Sequence, residues 1–483
     1  MGEFMTVDEW KKKMKFRGYA HFDRKITINE AWDYISDPLK IKTHGFLPFI
    51  HHTLKITKYS KSKGKSTKNR EICYSAHMDR YIYQYYAYQL NEEYNKRVSI
   101  DGLDQCSIAY RNNLHMNNIH FAKQAFDKIK ELKECYVVIG DFKNFFDSLD
   151  HQYLKKRMCQ LLQKDKLPND YYAVFKNITK YSTWELSDLL KENGHLLNLS
   201  GIKRLNKQDL AIPWSKFKAL KKDMVTPNKK SFGIPQGSAI SAVLSNIYML
   251  EFDAKINSYV TSKDGMYMRY SDDFIVILPK DKALPLEQEL AFLMSIIHAT
   301  PSLVLEPDKT QLFECSIGNI ESFDIRDALL CMTGKKKIDY LGFSFDGNAV
   351  TIRDKTISKY YNKLNRNIKK ILRSKDDPKT KVIIKSIRLY RKFGYHEHED
   401  SKDLKNRNFL SYVGRAERIF GPDERVNVVK ARHIQMIRKK TEKSRKTIIV
   451  VVFFCANLHK QGLNAYIVEL SIKGFYFTGT YIR

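Results

Sequence analysis

The sequence has 483 residues and a formal net charge of +30, from 84 Lys and Arg residues against 54 Asp and Glu residues. A hydrophobic content of 43% excludes a wholly disordered chain, and the length predicts several subdomains rather than one core. A globular chain with this excess of positive charge predicts a polyanionic partner, with nucleic acid as the first candidate and an anionic membrane surface as the second.

Cysteine usage and hydropathy further narrow the class of protein that this sequence can encode. The seven cysteines are an odd number without a CxxC pair, which argues against a zinc knuckle or a disulfide framework and predicts a reducing cytoplasm. The start of the chain lacks the pattern of a signal peptide, and the longest apolar run, 448–456, is too short to span a bilayer. We interpret residues 1–4 as a cloning remnant and expect the native chain to start at Met5.

The N-terminal part of the chain predicts helices around a basic loop. The stretch ITINEAWDYI predicts a short helix, in which Thr27 and Glu30 have the spacing of a capping box. Residues 59–71 (YSKSKGKSTKNRE) predict a loop that could neutralise a triphosphate or be only a solvated basic turn. Further elements predicted here are helices at 80–90 and 118–132 and a polar turn, SIAYR, at 107–111.

An apolar run ends in an aspartate in the stretch ECYVVIGDFKNFFDSLD. The run predicts a strand buried on both faces, and Asp141 follows it almost directly. A carboxylate at the end of a buried strand is costly unless it is paired or bound to a metal, so Asp141 is a candidate metal ligand. Ser148 or Asp150 can cap the next helix, predicted at 151–162, and Asp147 and Asp150 are expected to be structural.

A glycine-bracketed turn follows a less informative stretch. The elements predicted before it are helices at 170–180 and 184–190 and a basic loop at 201–230. In SFGIPQGSAISAVLSNIYM, Gly233 and Gly237 bracket a rigid turn where the backbone can approach a ligand closely. Ser238 starts a helix whose small residues would either admit a flat nucleotide or pack tightly on a sheet.

The stretch GMYMRYSDDFIVIL places two adjacent carboxylates at the tip of a predicted hairpin. Residues 266–270 and 274–278 predict the strands, with Asp272 and Asp273 in the turn. These carboxylates suit Mg²⁺, which prefers oxygen ligands, although Asp is also common in ordinary turns.

The C-terminal part predicts a small helical region with one basic face. The predicted elements are a helix at 286–298, a strand and turn at 303–310, a strand interrupted by Gly342 at 338–345, helices at 358–373, 381–392 and 408–419, and strands within 447–483. The helix at 358–373 has one apolar face, and the other face suits a phosphate backbone or is an ordinary solvated surface. Its candidate nucleic-acid-binding residues are Lys359, Lys363, Arg366 and Lys370. His396 and His398 could ligate a metal, but an acidic solvated loop is the preferred interpretation.

The order of these motifs resembles that of a reverse transcriptase. The matching stretches are FFD after Asp141, GIPQGSAISAVLSNIYM (233–249), RYSDDF (269–274), PDKT (307–310) and DYLGF (339–343). The resemblance implies an α+β right-hand polymerase fold with fingers, a palm containing an antiparallel sheet, a helical thumb and a short C-terminal extension. The implied domains are an N-terminal extension at 5–58, fingers at 59–133, a palm at 134–345 with an inserted segment at about 163–230, a thumb at 346–420 and the extension at 421–483.

The same resemblance implies the site residues. Asp141, Asp272 and Asp273 would be catalytic and, with the Phe142 backbone, would hold two Mg²⁺ ions, for which Mn²⁺ could substitute. One ion would lower the pKa of a primer 3′-hydroxyl, and the other would bind the triphosphate and the leaving pyrophosphate. Phe146 is implied as a steric gate that excludes a 2′-hydroxyl. The residues implied to bind the dNTP are Lys68, Arg70, Phe146, Gln236, Gly237 and Lys309.

The motifs are most similar to those of the bacterial branch that contains retron, group II intron, abortive-infection and defence-associated (DRT) enzymes. The chain has no HNH-like, RNase H or integrase segment, and Ser271 stands where Ala is common in intron and retron enzymes. With the long insert between Asp141 and Gly233, these features favour a defence-type enzyme. That type implies a noncoding RNA template, a cDNA product, a homo-oligomer, a location in the bacterial cytoplasm and, in some enzymes, priming from a protein hydroxyl.

Four alternatives remain. A non-catalytic, maturase-like RNA-binding scaffold would keep the basic helix but would not need three aspartates and Phe146. A retron or group II intron-type reverse transcriptase uses the same motifs, whereas Phe146 argues against an RNA-dependent RNA polymerase. A membrane-surface protein would need an insertion face, and the basic helix has no Trp or Phe on its apolar side, so we expect no membrane partner.

Overall fold

The computed structural model describes residues 5–60, 64–326, 330–373, 389, 392–393, 408–428, 466–467 and 480–481. The chain divides into two compact units, of which the first contains Met1–His115, Glu134–Glu314 and Ser322–Gly334 and the second contains Met116–Lys133, Cys315–Glu321 and Lys335–Arg483. The domain boundaries inferred from the sequence stay predictions. Most of the helix predicted at 381–392, both histidines of YHEHED and most of the C-terminal extension lie outside the described residues.

The N-terminal elements lead into a long β-hairpin. They are α1 (Val7–Lys13), α2 (Ile28–Ile35), α3 (Pro38–Lys42), β1 (Phe49–Ser60), β2 (Gly64–Tyr74) and α4 (His77–Ile100). The capping box predicted for α2 is confirmed, because Thr27 and Glu30 bond to each other's backbone N–H groups. The basic loop predicted at 59–71 is wrong, since it lies in a hairpin in which Ile56 pairs with Lys68. The alternating apolar signal of a strand is absent there, and cross-strand pairing with β1 decides the structure.

The next elements follow the hairpin in chain order. They are α5 (Asn118–Leu132) in the second unit, then β3 (Cys135–Asp141), α6 (Phe145–Ser148), α7 (His151–Leu161), α8 (Asn169–Thr179), β4 (Ser182–Glu185), α9 (Leu186–Glu192), α10 (Leu199–Leu205), α11 (Trp214–Met224) and β5 (Thr226–Pro227). The predicted buried strand is confirmed, and Asp150 caps α7 by accepting a bond from the Tyr153 N–H.

The segment between α8 and the glycine-bracketed turn is more ordered than predicted. The loop at 201–230 is wrong because it contains α11 and the C-terminal part of α10, and Trp184 lies in β4 rather than in a helix. Trp184 and Phe217 stack in a buried cluster with Phe22. This cluster supplies apolar contacts that the basic composition of the segment does not predict. Strands β2, β1, β4 and β5 form one sheet in that order.

A second sheet forms around β3. The elements that complete this region are α12 (Ala239–Tyr248), α13 (Leu250–Thr261), β6 (Met266–Tyr270), β7 (Asp273–Pro279), α14 (Leu286–Ala299), β8 (Gln311–Ser316) and β9 (Asn319–Phe323). The strand order is β6-β7-β3-β8-β9, and β7 pairs antiparallel with both β6 and β3. The hairpin predicted from the SDD stretch is therefore confirmed, and its second strand lies next to the strand that ends in Asp141.

The second unit combines short strands with helices. Its remaining elements are β10 (Ile338–Tyr340), β11 (Phe343–Phe345), β12 (Val350–Ile352), α15 (Asp354–Arg373), α16 (Phe409–Phe420), β13 (Tyr466–Ile467) and β14 (Thr480–Tyr481). The stretch predicted as one interrupted strand is a hairpin, since β10 and β11 pair antiparallel around Leu341 and Gly342. Gly342 has a φ of 96°, a backbone conformation that glycine adopts readily, so a turn replaces the continuous strand.

The described residues also bear on membrane crossing and on the cysteines. Within the described residues, no helix combines the length and the apolar character that crossing a bilayer requires. Cys73, Cys106, Cys135 and Cys159 are free thiols, and the first three of them are buried.

Candidate active site

Three aspartates converge at one end of the β3 sheet. Asp141 is the last residue of β3 and lies opposite Asp273 in the register between β3 and β7. Tyr270 lies opposite Asp273 in the register between β6 and β7, so Ser271 and Asp272 form the turn. Residues more than a hundred positions apart in the sequence are thus brought side by side by strand pairing.

An aromatic core supports this end of the sheet. Gly140 lies under the Phe274 ring, and a Cβ at Gly140 would lie 2.3 Å from ring carbons, so a side chain there would have to displace the ring. The Phe142 ring is buried and packs against Phe145 and Phe274. The Phe142 N–H donates to the Asp272 carbonyl over 3.1 Å. This hydrogen bond stabilises the turn that carries Asp272.

The three carboxylates influence one another because they are close and partly buried. Burial raises the pKa of Asp273 to about 7, and the charges of Asp272 and Asp141 add to the effect. Burial also raises the pKa of Asp272, to which the charge of Asp141 contributes. A site that gathers this much negative charge favours a bound cation.

Lys309 supplies a positive charge at the same place. Its ammonium group contacts Asp141 Oδ1, and its role in dNTP binding stays a prediction. The segment before it runs beside β3, where the Glu306 N–H donates to the Asp141 carbonyl over 2.8 Å. The strand predicted within 303–310 is reduced to an isolated bridge between Phe142 and Leu305.

A buried ion pair beneath the turn was not predicted. Arg269 and Asp253 are both fully buried, with Arg269 Nη2 2.6 Å from Asp253 Oδ2. Arg269 Nη1 also donates to the Ser271 carbonyl over 3.0 Å, and Ser271 has a φ of 63°. The guanidinium therefore stabilises the turn that carries Asp272. A single arginine inside an otherwise apolar strand is the sequence signal that could have identified it.

The SIAYR segment lines the other side of this turn. The Ile108 N–H donates to the Arg269 carbonyl over 3.1 Å, and the Ala109 carbonyl accepts a bond from Asn246 on α12. The Tyr110 hydroxyl donates to Ser271 Oγ over 3.0 Å. The SIAYR segment, which the sequence predicts only as a polar turn, therefore stabilises the hairpin that carries Asp272 and Asp273.

The glycine-bracketed turn lies beside the segment that follows Asp141. The Ile234 N–H donates to the Phe146 carbonyl over 2.9 Å, and Gln236 Nε2 donates to Asp147 Oδ2 over 3.1 Å. Gly237 has a φ of 115°, and a Cβ there would lie 2.3 Å from the Cys73 carbonyl oxygen. Phe146, Gln236 and Gly237 are therefore neighbours, and Asp147 joins them without having been predicted to do so.

Lys68 and Arg70 lie on β2 as exposed side chains. Successive residues of a strand point to opposite faces, so both share the face of their cross-strand partners, Ile56 and Leu54. Glu71 lies on the opposite face, where Thr53 bonds to it. No ion pair in the described part of the chain joins Lys68 or Arg70 to the three aspartates.

The basic helix of the second unit has the two faces that the sequence predicts. Tyr360, Leu364 and Ile368 are buried on one side of α15. The exposed residues on the helix include all four predicted to bind nucleic acid: Lys359, Lys363, Arg366 and Lys370.

The carboxylates suit a divalent cation by their chemistry. All three offer oxygen donors, which Mg²⁺ prefers, and their mutual repulsion would be relieved by positive charge. Among the residues that the structure describes, no group of three or more His, Cys, Asp or Glu side chains is arranged to hold a metal ion. Asp141 contacts Lys309 instead, so the aspartates fit such an ion as donors without forming a closed cage around it.

Carboxylates of this type, gathered at one end of a sheet, are the groups that metal-dependent phosphoryl transfer uses. Residues 199–345 match the family model described as Reverse transcriptase (RNA-dependent DNA polymerase). The chain therefore contains a reverse transcriptase domain, the domain of RNA-directed DNA polymerases. The matched residues include the glycine-bracketed turn and the SDD hairpin, whereas Asp141 precedes them and is added to the site by strand pairing.

Several solved structures are similar to the chain over part of their length. Apo telomerase from Candida tropicalis, truncated from the C-terminal domain, matches with a TM-score of 0.39 and 14% identity over 67% of this chain and 60% of that chain. Telomerase from Candida albicans with a TWJ fragment of telomeric RNA matches with a TM-score of 0.35 and 15% identity over 68% of this chain and 50% of that chain. The chain thus spans only half to three fifths of these telomerase chains. Comparison with curated proteins gave no match.

Proposed function

We propose that the protein is an RNA-directed DNA polymerase that copies an associated noncoding RNA into cDNA in bacterial antiphage defence. The observation that carries the polymerase activity is the register pairing of Asp141 with Asp273 inside a chain that contains a reverse transcriptase domain. The antiparallel strands β6, β7 and β3 are assigned to a palm, with β1 and β2 in the fingers and α15 in the thumb of a right-hand polymerase.

Asp141, Asp272 and Asp273 would hold two Mg²⁺ ions in this enzyme. When bound, Mg²⁺ supplies charge neutralisation for the triphosphate and lowers the pKa of the attacking hydroxyl. Lys309 presents its ammonium group beside Asp141, where it would face the negative charge of the triphosphate. Phe146, with its ring half-buried, would exclude a 2′-hydroxyl, and Gln236 and Gly237 would contact the nucleotide.

The RNA partner is proposed on charge and on the exposed basic face of α15. The chain carries a net charge of +30, and phosphate contacts supply most of the affinity in sequence-independent nucleic-acid binding. The defence role rests on the resemblance to defence-type enzymes and on Ser271 at the variable position of the hairpin. A bacterial cytoplasmic location and a homo-oligomeric state belong to the same proposal.

The test is to purify the protein with its bound nucleic acid, add Mg²⁺ and labelled dNTPs, and sequence template and product. DNA copied from one bound RNA is the expected result, and labelled nucleotide attached covalently to the protein would identify protein priming. Labelled NTPs incorporated in preference to dNTPs would identify an RNA polymerase and contradict the proposal.

The matched variant is the double substitution Asp272→Ala and Asp273→Ala. It should abolish synthesis and leave RNA binding nearly unchanged, because basic surfaces distant in sequence supply the phosphate contacts. A discrete RNA bound to a wild-type protein that incorporates no nucleotide would favour a non-catalytic scaffold instead.

A further inference from the structure

A cleft lies between three helices of the first compact unit. The C-terminal parts of α4 and α7 and the N-terminal part of α13 line a cavity of about 440 Å³, a volume typical of small-molecule sites. The apolar part of its wall consists of Leu161, Leu250 and Ala254. The described residues that line the cleft include none of the three aspartates and none of the residues that the sequence predicts as functional. The cleft is therefore separate from the candidate active site.

Two arginines form the polar part of the cleft. Arg97 Nε donates to Asp101 Oδ2 over 2.7 Å, and Arg157 Nη1 donates to Glu251 Oε2. The Lys255 ammonium group lies 3.1 Å from Glu251 Oε1. Three cations thus share two carboxylates, so this cluster carries one net positive charge.

The guanidinium groups keep hydrogen-bond donors that no protein group uses. The Arg157 side chain is only 11% exposed, and its Nε has no hydrogen-bond partner. Within the described ranges, the two Nη groups of Arg97 donate to no protein acceptor. Arg157 also packs on the Tyr153 ring, with Cζ 4.9 Å from the ring centroid, which restricts the orientation of the guanidinium. Because both carboxylates are already paired, the cleft favours a ligand that brings acceptors of its own.

We propose that this cleft binds a nucleotide, with the phosphate on Arg97 and Arg157 and the base against the apolar wall. A phosphate monoester has three terminal oxygens, so it can accept from both guanidinium groups at once, whereas a carboxylate has only two. A phosphate ion alone would leave most of the cavity unfilled. The flat faces of a base would fill it and cover Leu161 and Leu250. This site is additional to the proposed polymerase centre and does not depend on it.

The test measures binding without nucleotide incorporation. The full-length protein, freed of nucleic acid, is titrated with dAMP in EDTA by isothermal titration calorimetry. Without a divalent cation the three aspartates repel a phosphate, so they contribute little to binding. We expect one equivalent of dAMP to bind, and to bind more tightly than inorganic phosphate or deoxyadenosine, because each of these probes makes only part of the contacts.

A pair of charge variants on α4 tests the guanidinium contact. Arg97→Gln removes the free Nη donors and should raise the Kd for dAMP about tenfold. Its effect on stability should be small, since Arg97 and Asp101 are an exposed pair on one helix turn. Lys96→Gln removes the same charge from the neighbouring residue, whose ammonium group contacts Glu93 outside the cleft. It should keep the wild-type Kd.

A third variant fills the cleft without changing its charge. Ala254→Phe places a ring where the base would lie, so dAMP binding should be lost while the thermal midpoint stays close to that of the wild type. A misfolded Ala254→Phe protein would leave the comparison of Arg97→Gln with Lys96→Gln as the deciding measurement.

A wild type that shows no saturable dAMP binding would overturn the inference. Equal weakening in Arg97→Gln and Lys96→Gln would also overturn it, because general attraction by the basic chain would then explain binding. Deoxyadenosine that binds as tightly as dAMP would contradict the phosphate contact, and a folded Ala254→Phe protein with the wild-type Kd would place the ligand elsewhere. Failure of dNTP incorporation contradicts only the proposed function, since none of these measurements requires it.

Discussion

Phe146 is the side chain on which sugar selection would depend. Its ring is half-buried and meets the fully buried Phe145 ring edge-on, with centroids 5.5 Å apart. Phe146→Ala would open space for a 2′-hydroxyl, so we expect the kcat/KM for NTPs relative to dNTPs to rise about 10- to 100-fold. Phe145→Leu is the control, since it should lower stability without changing this ratio. An unaltered ratio in Phe146→Ala would remove the steric-gate role.

Arg269 gives a second prediction at the residue scale. Arg269→Met would leave Asp253 buried without its ion-pair partner, which should lower the free energy of unfolding by about 3–5 kcal/mol. Adding Asp253→Leu should restore part of that stability, because no isolated charge then remains. Nucleotide incorporation should be impaired in both the single and the double variant, since in both the Ser271 carbonyl lacks its guanidinium donor. Urea unfolding and single-turnover incorporation measure the two effects, and a fully active double variant would contradict the positioning role of Arg269.

Among the elements, the N-terminal segment joins β2 through a buried histidine that favours the neutral form. Burial lowers the pKa of His21 to about 3, and repulsion from His77 adds to this. His21 Nδ1 accepts the Phe22 N–H bond, so its Nε2–H faces the Tyr74 carbonyl. The rings of Tyr19 and Tyr74 also lie against His21, and neither carries a charge at neutral pH.

The pH dependence of stability follows from this depressed pKa. The unfolded chain keeps an ordinary histidine pKa of about 6.5, so between pH 6.5 and 3 it binds a proton that folded His21 does not. Stability is therefore complete above pH 6.5 and falls as the pH is lowered, by about 1.4 kcal/mol between pH 7.5 and 5.5. Urea unfolding at the two pH values measures the loss, which should be smaller in His21→Asn. An equal loss in that variant would assign the effect to other groups.

For the whole molecule, the excess of positive charge predicts a salt-dependent affinity for RNA. Replacing three exposed residues of α15 by Gln should reduce the slope of log K against log [salt] by about 2, because each lost phosphate contact removes about 0.7–0.9. The residues are Lys359, Lys363 and Arg366. A control variant removes three exposed lysines outside α15 and should keep the wild-type slope: Lys42, Lys164 and Lys191. Equal slopes in both variants would show that total charge, rather than α15, determines binding.

Local features of the chain were predictable because a few neighbouring residues encode them. The capping box of α2, the Asp150 cap of α7 and the two strands of the SDD hairpin all follow from short patterns. The buried strand that ends in Asp141 could be predicted from a single apolar run. The candidate catalytic aspartates could be chosen for the same reason, since each stands next to such an element.

Features that depend on contacts between distant parts of the chain could not be predicted from short sequence patterns. The basic stretch at 59–71 is a strand pair rather than a loop, because its structure depends on pairing with β1 and not on an alternating apolar pattern. The helices α10 and α11 are stabilised around buried aromatic residues from separate segments. Cross-strand and cross-segment contacts outweigh local propensity where the local signal is weak.

By itself the sequence determined the chemical inventory of this protein: three aspartates, a glycine-bracketed turn, a basic helix, and the order in which they occur. Only the tertiary structure decided that Asp141 lies opposite Asp273, that Arg269 supports the turn that carries Asp272, and that Asp147 faces Gln236. Residue type and spacing determine which groups are available over one turn or one strand. The distances between groups that are far apart in the chain are set by strand register and core packing, which involve many residues at once.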